Sequence, residues 1–188
     1  MEQFGLFGAD PAIPEGFRYR TGVISAEYEA RLINDIRPLP FKEFEFLEYT
    51  GKRRVVSFGW RYDYDSKTLN RAADMPPFIV ELREVAALFA EVKPESLQQA
   101  LVTEYQAGAP IGWHRDKAQY GDVIGLSLLS SCQFRLRRKL GDAWQRYSLT
   151  AAPRSAYLMR GPSRTEWEHS IPPVDTLRYS VTFRNFRE

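Results

Sequence analysis

Cysteine and histidine are both scarce in this 188-residue chain. The single cysteine, Cys132, excludes an internal disulfide, and its position in the apolar run LSLLSSCQF favours a small buried side chain over a reactive thiol. Only two histidines are present, His114 and His169. Any chemistry that depends on histidine must therefore use these two positions.

Targeting and membrane signals are also missing. The start, MEQFGLFGADPAIPEGF, has neither a basic first segment nor a long apolar stretch, and no window approaches the roughly 20 apolar residues of a membrane span. The chain contains no internal repeat, low-complexity tract or long linker. We therefore expect one domain over residues 1–188, in a soluble, cytoplasmic, monomeric protein without membrane association.

Charge is distributed unevenly along the chain. Residues 1–114 contain 13 basic and 17 acidic side chains, a balance of −4, whereas residues 115–188 contain 13 and 7, a balance of +6. Of the 26 basic residues, 20 are arginine, which suits two-pronged contacts to carboxylate or phosphate. The basic half permits a polyanionic partner but does not by itself establish one.

Helices are predicted in the N-terminal half and strands in the C-terminal half. Ser25 is a suitable N-cap for a helix that the RPLP segment ends, and Pro76 and Pro77 suit the start of a second helix. The segment EFEFLEYTGKRRVVSF predicts two strands around a Thr50-Gly51 turn. After residue 96 the predicted strands are LQQALVTEY, DVIGLSLLSSCQFRLRR, AWQRYSLTAAP, SAYLMRG and LRYSVTFRNF. We expect a mostly β fold, a jelly-roll double sheet over residues 97–188 with the helices of residues 1–96 beside it.

A candidate metal site follows from the WHRD segment. His114 and Asp116 are two residues apart, so in an ordinary strand both side chains project from one face, and His169 could join them from a later strand. Two histidines and one carboxylate form the facial triad of ferrous oxygenases, which leaves three positions of an octahedral ion open. Taken alone, H-x-D is more typical of a surface or capping histidine than of a metal site.

Two arginines of the last strand form a second candidate site. Arg178 and Arg184 share a strand face with Ser180 and Thr182. If that face lies inside the fold, the arginines need an anion to offset their burial, and a dicarboxylate would serve. The alternative is an ordinary solvated strand face.

These segments together resemble the AlkB-like dioxygenases, which are iron(II)- and 2-oxoglutarate-dependent enzymes with a double-stranded β-helix. The family pattern N-x-Y-x-x-G, H-x-D, H and R-x-N-x-T-F-R is matched by TEYQAG (103–108), HRD (114–116), His169 and RYSVTFR (178–184). The resemblance covers residues 98–188 well and the N-terminal part more loosely. It implies Fe(II) as cofactor and 2-oxoglutarate as cosubstrate.

The resemblance also implies roles for individual residues. His114, Asp116 and His169 would hold the iron, with affinity falling below about pH 6 as the histidines protonate. The residues that would bind the cosubstrate are Arg178 at its distal carboxylate, Tyr105, Arg184, Thr103 and Ser180. Thr103 and Ser180 stand where the family usually has asparagine, so their reach is shorter. Ala118 stands where nucleic-acid repair members often carry an acidic residue, so no base preference is implied.

The reaction that the resemblance implies is oxidative dealkylation of an N-alkylated base in DNA or RNA, as in the repair of damaged DNA, with release of formaldehyde, succinate and CO2. The segment GKRRVVSFGWRYDYDS (51–66) occupies the place of the family's nucleotide-recognition lid. Its candidate substrate-binding residues are Arg53, Arg54, Trp60 and Tyr62, together with Tyr64, and they suit phosphate contacts and stacking on a flipped base. Packing within the protein explains the aromatic residues equally well.

Two arginines near His169, Arg160 and Arg164, are further phosphate candidates, or else part of a solvated surface. Two other functions stay open. One is a protein hydroxylase or lysine demethylase on the same scaffold, and the other is a non-catalytic nucleic-acid-binding member. A positive surface from Arg53 to Arg135, Arg137 and Arg138 would favour nucleic acid.

Overall fold

The computed structural model describes residues 12–46, 49–63 and 68–187. Within these ranges the helices are α1 (Ala26–Ile36), α2 (Pro77–Ala90) and the short α3 (Pro162–Thr165), with a 3-10 turn at Pro94–Ser96. The strands are β1 (Phe17–Arg20), β2 (Lys42–Phe46), β3 (Tyr49–Phe58), β4 (Trp60–Asp63), β5 (Thr68–Arg71), β6 (Gln99–Tyr105), β7 (Ile111–His114), β8 (Tyr120–Leu128), β9 (Cys132–Leu140), β10 (Ala143–Ala151), β11 (Ser155–Met159), β12 (Glu168–Ile171) and β13 (Arg178–Phe186).

Two antiparallel sheets form the body of the fold. The major sheet has seven strands in the order β1-β11-β8-β13-β6-β3-β2, and the minor sheet has four in the order β10-β9-β12-β7. Strands β4 and β5 pair separately as a two-stranded ribbon. The non-sequential strand order is that of a jelly roll, which confirms the predicted mostly β fold class.

Each face of the major sheet covers a different core. Val181 and Phe183 project from one face of β13 into a cluster with the apolar sides of α1 and α2. Tyr105 of the major sheet and Phe134 and Leu136 of the minor sheet belong to a second cluster, which lies between the sheets. The helices therefore pack on one face of the major sheet, and the other face of the same sheet lines the interior between the two sheets.

The helices begin and end where the sequence predicts them. Ser25 accepts a hydrogen bond from the Tyr28 backbone N–H at 3.1 Å, which satisfies one of the free donors at the start of α1. Pro77 is the first residue of α2. A backbone N–H at that position would have no partner within the helix, so its absence in proline costs no hydrogen bond. In the described part of the chain, no helix is long and apolar enough to cross a membrane.

Three local predictions were wrong. Phe46 pairs with Tyr49, so the reversal between β2 and β3 precedes Thr50 and Gly51, which lie inside β3. β7 ends at His114, so Asp116 lies beyond the strand that was expected to hold both residues. The predicted strand DVIGLSLLSSCQFRLRR is two strands, because β8 ends at Leu128 and β9 begins at Cys132.

Strands from the N-terminal half also complete the major sheet. β3 pairs with β6, and β1 pairs with β11, so the major sheet combines strands that precede residue 96 in the sequence with strands that follow it. The division at residue 96 stays a prediction about domain organisation.

Candidate active site

The two histidines meet where β7 and β12 pair in the minor sheet. His114 stands directly opposite His169, and their ring centroids are 4.1 Å apart. The same register pairs Ile171 with Ile111, so β7 has one extra residue between these two pairs. Such a bulge turns neighbouring side chains to opposite faces. His114 consequently points to the interior, while Trp113 contacts arginines of β9 on the outer face.

Asp116 joins the histidines from the segment after β7. Its Oδ2 atom lies 4.0 Å from His169 Nε2, and its side chain is only 9% exposed. Arg184 donates to Asp116 Oδ1 from Nη2 at 2.8 Å and from Nε at 3.1 Å. Arg184 also donates to Gln99 at 2.9 Å, so it is held from two sides. One carboxylate oxygen is thus used for positioning, and the other faces the histidines.

Burial and neighbouring charges set the protonation of this triad. Burial lowers the pKa of His169 to about 3, and burial also lowers the pKa of His114. Burial acts to raise the pKa of Asp116, but nearby positive charge, first of all that of Arg184, outweighs it and holds that pKa well below its usual range. His169 therefore stays neutral well below the pH of about 6 that was expected from ordinary values, and the lowered pKa of His114 acts in the same direction.

The tautomer of His114 leaves one ring nitrogen available. His114 Nδ1 lies 2.9 Å from the backbone carbonyl of Gly112, within the bulge. In neutral histidine the proton on Nδ1 donates to that carbonyl, which leaves the lone pair of Nε2 for a metal ion. The bulge therefore both aims the ring and selects its protonation.

Arg178 lies deep between the sheets, with 1% of its surface exposed. Its Nη2 and Nε atoms donate to Ser127 Oγ at 3.0 and 3.3 Å, and its guanidinium lies 4.8 Å from the centroid of the Tyr105 ring. Arg178 Nη1 is buried and has no hydrogen-bond partner in the described part of the chain. A buried arginine with a free donor is expensive unless an anion completes its contacts.

Thr103 and Ser180 lie beside this arginine on the same inner face. Thr103 pairs with Ser180 across β6 and β13, and Ser180 pairs on its other side with Ser127 of β8. All three side chains are buried. They form a polar row next to Arg178 and Tyr105, so the five predicted cosubstrate residues, which include Arg184, share one wall of the interior.

The residues present fit an iron ion and a dicarboxylate. Within the described residues, no three His, Cys, Asp or Glu side chains already converge as a complete metal-binding group. The fit rests instead on the donor set, which is two neutral histidines and one ionised carboxylate whose Oδ2 atom is buried and accepts no hydrogen bond there. The free donor of Arg178 lies on the facing sheet, where it would meet an anion bound beside the metal.

The predicted substrate residues of β3 separate onto opposite faces. Arg53 pairs in register with Tyr105, on the inner face, and its positive charge contributes to the lowered pKa of His114. Arg54 pairs with Glu104 on the other face, donates to its buried carboxylate at 2.8 Å and lies over Phe41. The structure therefore brings Arg53 towards the triad and does not bring Arg54 there.

The predicted lid is not confirmed. Trp60 packs edge-on against Phe186, with 5.7 Å between ring centroids, and Phe186 stacks on Tyr120. Trp60 therefore packs on Phe186, which in turn packs on Tyr120, and the Trp60 ring does not itself face the site. The backbone of Tyr62 belongs to β4, whereas Tyr64 lies outside the described residues.

Arg160 and Arg164 have structural partners. Arg160 forms an ion pair with Asp122 and donates to the Ala90 carbonyl at 3.0 Å. Arg164 is 5% exposed and donates to the backbone carbonyls of Lys117 and Tyr120. Arg164 therefore braces the segment that holds Asp116, and the idea that it contacts phosphate at the surface was wrong.

Three residues of the site were not predicted. Ser127, which contacts Arg178, is the single polar residue in the apolar run VIGLSLL (123–129), and that isolation was a usable signal. Gln99 shares the inner face of β6 with Tyr105 and could have been found by counting back in twos. Tyr157 lies over Gly125 of the neighbouring strand, a contact that depends on register and has no local signal.

Curated relatives match much of the chain. Relatives from Arabidopsis thaliana are an "Alkylated DNA repair protein ALKBH8 homolog", 28% identical over 73% of this chain and 47% of its own length, and "RNA demethylase ALKBH9B", 26% identical over 93% and 40%. The mouse relative is "tRNA (carboxymethyluridine(34)-5-O)-methyltransferase ALKBH8", 27% identical over 92% of this chain and 27% of that protein. The chain thus spans less than half the length of each of these relatives.

The fold and the family model agree with these relatives. The solved structure of OsALKBH1 superposes with a TM-score of 0.69 at 16% identity, covering 93% of this chain and 98% of that one. A family model described as the 2OG-Fe(II) oxygenase superfamily matches residues 25–184. This chain belongs to that superfamily as an AlkB-like dioxygenase, for which the family implies Fe(II) as cofactor and 2-oxoglutarate as cosubstrate.

Proposed function

We propose that this enzyme oxidatively dealkylates N-alkylated bases in nucleic acid. The observation that carries the proposal is that two groups with unsatisfied polar atoms face each other across the interior between the sheets. The His114–Asp116–His169 triad belongs to the minor-sheet side, and the free donor of Arg178 belongs to the major sheet. The triad lacks a metal ion and Arg178 lacks an anion. An iron ion with bound 2-oxoglutarate would supply both.

The triad residues have distinct tasks in this proposal. His114, His169 and Asp116 would hold the iron. Arg184 keeps Asp116 ionised and oriented through Oδ1, so that Oδ2 stays turned towards the histidines. Neutral histidines and an ionised carboxylate are the protonation states that metal ligation requires, and the interior favours them before any metal binds.

The cosubstrate residues anchor the other end of the site. Arg178 Nη1 binds the distal carboxylate of 2-oxoglutarate through a charge-assisted hydrogen bond, while Ser127 and the Tyr105 ring hold its guanidinium in place. Thr103 and Ser180 line the same wall and limit the room for water. When bound, iron and 2-oxoglutarate supply an oxidation that consumes dioxygen, yields succinate and CO2, and hydroxylates a substrate C–H bond.

On an N-methyl group this oxidation balances as a dealkylation. The N–CH3 group, 2-oxoglutarate and O2 give N–H, formaldehyde, succinate and CO2. The nucleic-acid substrate is supported by the names of the relatives, which refer to alkylated DNA repair, RNA demethylation and tRNA modification. Arg53, which lies on the inner face of β3 near His114, is the residue best placed to meet a substrate phosphate.

The test is a coupled turnover assay. Purified protein with Fe(II), ascorbate, 2-oxoglutarate and air receives an oligonucleotide that contains 1-methyladenine or 3-methylcytosine, and succinate and formaldehyde are measured together. We expect both products to rise with the oligonucleotide, and we expect Asp116→Ala to abolish both. Asp35→Ala, which removes an exposed carboxylate from α1, is the matched control and should keep full activity.

Other outcomes would redirect the assignment. Succinate that rises without the oligonucleotide keeps the oxygenase and removes the nucleic-acid substrate, and a protein hydroxylase or lysine demethylase then becomes the leading alternative. An Asp116→Ala variant that remains active with added iron would show that the metal ligands are wrongly assigned.

A further inference from the structure

The outer face of the minor sheet has an unusual composition. Strand alternation from the register places Trp113 of β7, Arg135, Arg137 and Lys139 of β9, and Trp144 and Arg146 of β10 on the face that points away from the iron site. We call these six residues the outer-face ladder. The buried Phe134 and Leu136 alternate with them and point inward.

Stacked arginine and tryptophan side chains build this ladder. The Arg137 guanidinium lies 4.3 Å from the ring centroid of Trp113 and 4.3 Å from that of Trp144, so it stands between the two rings. Arg135 lies 5.0 Å from the Trp113 ring. Contacts of this kind hold flexible arginines in defined positions and present flat surfaces beside positive charge.

Within the part of the chain that the structure describes, the charge of the ladder is not balanced. On this face the described residues of β9, β10 and β12 include four cations, Arg135, Arg137, Lys139 and Arg146, against one carboxylate, Glu168, which pairs with Arg137 at 2.8 Å. Arg146 is exposed and stands directly opposite Arg137. Like charges in opposite positions destabilise a sheet, so this pair is better tolerated when an anion lies over it.

We propose that the outer-face ladder binds a single strand of nucleic acid that flanks the target base. Arg146 and Lys139 contact phosphates, and a base stacks on Trp144, which is 39% exposed. Positive side chains interleaved with exposed aromatic rings are the usual means by which proteins hold unpaired strands without reading their sequence. Bases in a duplex are already paired and stacked, so a duplex would present fewer free base faces to the Trp144 ring.

The ladder lies close enough to the iron site to guide such a strand. Trp113 immediately precedes His114, and Arg115 lies between His114 and Asp116. Arg115 also lines a cavity whose other residues are Arg137, Arg138, Lys139, Trp144, Glu166 and Glu168, so basic residues outnumber the two carboxylates there. A strand on the outer face therefore meets the edge of the active site at Arg115, where one nucleotide could turn inward.

The test is direct binding, without catalysis. The full chain is titrated, with no iron or 2-oxoglutarate, against fluorescently labelled, unmodified single strands of roughly 15 nucleotides, in DNA and RNA versions of one sequence. We expect Trp144→Ala to weaken binding about fivefold or more, since one base–aromatic stack is lost, and Trp144→Phe to bind nearly as the wild type. Preference for the RNA or the DNA strand identifies the substrate; either supports the ladder.

A charge variant gives an independent readout. Arg146→Gln should reduce the slope of log affinity against log salt by about 0.7, the value for one phosphate contact on a single strand. Arg31→Gln removes an exposed arginine from α1 and should leave both affinity and slope unchanged. Melting temperatures of all variants check that the fold is intact.

Failure of this inference is distinguishable from failure of the proposed function on which it rests. The ladder is overturned if the wild type binds neither strand, or if Trp144→Ala and Arg146→Gln bind as the wild type does. Equal binding of a duplex that is insensitive to Trp144→Ala also overturns it. The turnover assay decides separately whether the enzyme dealkylates a base, because binding here requires no alkylated nucleotide.

Discussion

At the scale of single residues, the site depends on the two oxygens of the Asp116 carboxylate having different roles. Arg184 occupies Asp116 Oδ1, and Oδ2 remains turned towards His169. Arg184 is itself anchored by Gln99 on the neighbouring strand. The ionised state and the direction of Asp116 are therefore fixed by residues of the major sheet, although the histidines belong to the minor sheet.

Replacing Arg178 by lysine should raise the KM for 2-oxoglutarate by about 10- to 100-fold. Lysine keeps the charge but loses the planar fork that contacts Ser127 and the cosubstrate together, and hydrogen bonds to charged groups contribute about 1.5–3 kcal/mol. The measurement is succinate formation as a function of 2-oxoglutarate concentration. Arg154→Lys, a change at a remote arginine paired with Glu29, is the control. An unchanged KM in Arg178→Lys would remove its assigned role.

The buried His169 should make the metal-free protein lose stability as the pH falls. Its folded pKa of about 3 is below the ordinary value near 6.5, so between these values the unfolded chain binds more protons. Stability that is present above pH 6.5 is then lost on acidification, by at most about 1.4 kcal/mol per pH unit from this residue. Urea unfolding at pH 7.5, 6.5, 5.5 and 4.5 measures the slope.

His169→Gln should make that slope shallower. Glutamine does not titrate in this range, so the difference in slope isolates the histidine from the overall loss of stability. Asp116 contributes in the same direction only at lower pH, because its depressed pKa matters below the ordinary carboxylate range. Equal slopes in the wild type and the variant would mean that His169 is not held neutral by burial.

At the scale of elements, long periodic segments were predictable and short irregular ones were not. α1 and the alternation of Arg178 and Ser180 in β13 follow from patterns that repeat over many residues. β7 has four residues and a bulge, and its periodicity is too short to indicate a strand. The Thr50-Gly51 turn failed because pairing with β2, which joins Tyr49 to Phe46 and Thr50 to Glu45, continues β3 through this region and outweighs the local turn preference.

The candidate site was predictable as a set of residues but not as a geometry. The resemblance to the AlkB-like motifs identifies the triad and Arg178, whereas the H-x-D spacing alone does not. The position of Asp116 outside β7 depends on where that strand ends, and which of Arg53 and Arg54 faces the interior depends on the register of β3 with β6. These are properties of register, which a single segment does not encode.

The pairing of β8 with β11 should not tolerate a side chain at Gly125. A Cβ atom there would lie 2.2 Å from Cζ of Tyr157, so Gly125→Ala must displace a ring in the core between the sheets. Overpacking of this kind costs about 1–3 kcal/mol. Gly112→Ala is the matched control, because a Cβ atom at Gly112 meets nothing within 4 Å.

Chemical unfolding of both glycine variants is the measurement. Gly125→Ala should have a clearly lower midpoint than the wild type, and Gly112→Ala should differ little from it. A Gly125→Ala protein as stable as the wild type would show that Tyr157 can move without loss, contrary to the packing described.

At the scale of the whole molecule, the iron site joins the two sheets. β7 and β12 of the minor sheet supply the histidines, whereas β6 and β13 of the major sheet supply Tyr105, Arg178 and Arg184. A metal ion and its cosubstrate bound at the proposed site would therefore bridge the two layers across the inner core. Ligands that bind only the folded state stabilise it by an amount that grows with the logarithm of their concentration relative to Kd.

Metal and cosubstrate should consequently raise the melting temperature in two separable steps. Mn(II), which replaces Fe(II) without turnover, and 2-oxoglutarate should each stabilise the wild type by about 5–10 °C when present near 100 times its Kd, and a chelator should reverse the effect. His169→Ala should lose the response to Mn(II), because one ligand is missing. Arg178→Lys should keep the Mn(II) step and lose most of the 2-oxoglutarate step. If His169→Ala responds to Mn(II) like the wild type, the metal is bound elsewhere and the bridging role of the site is wrong.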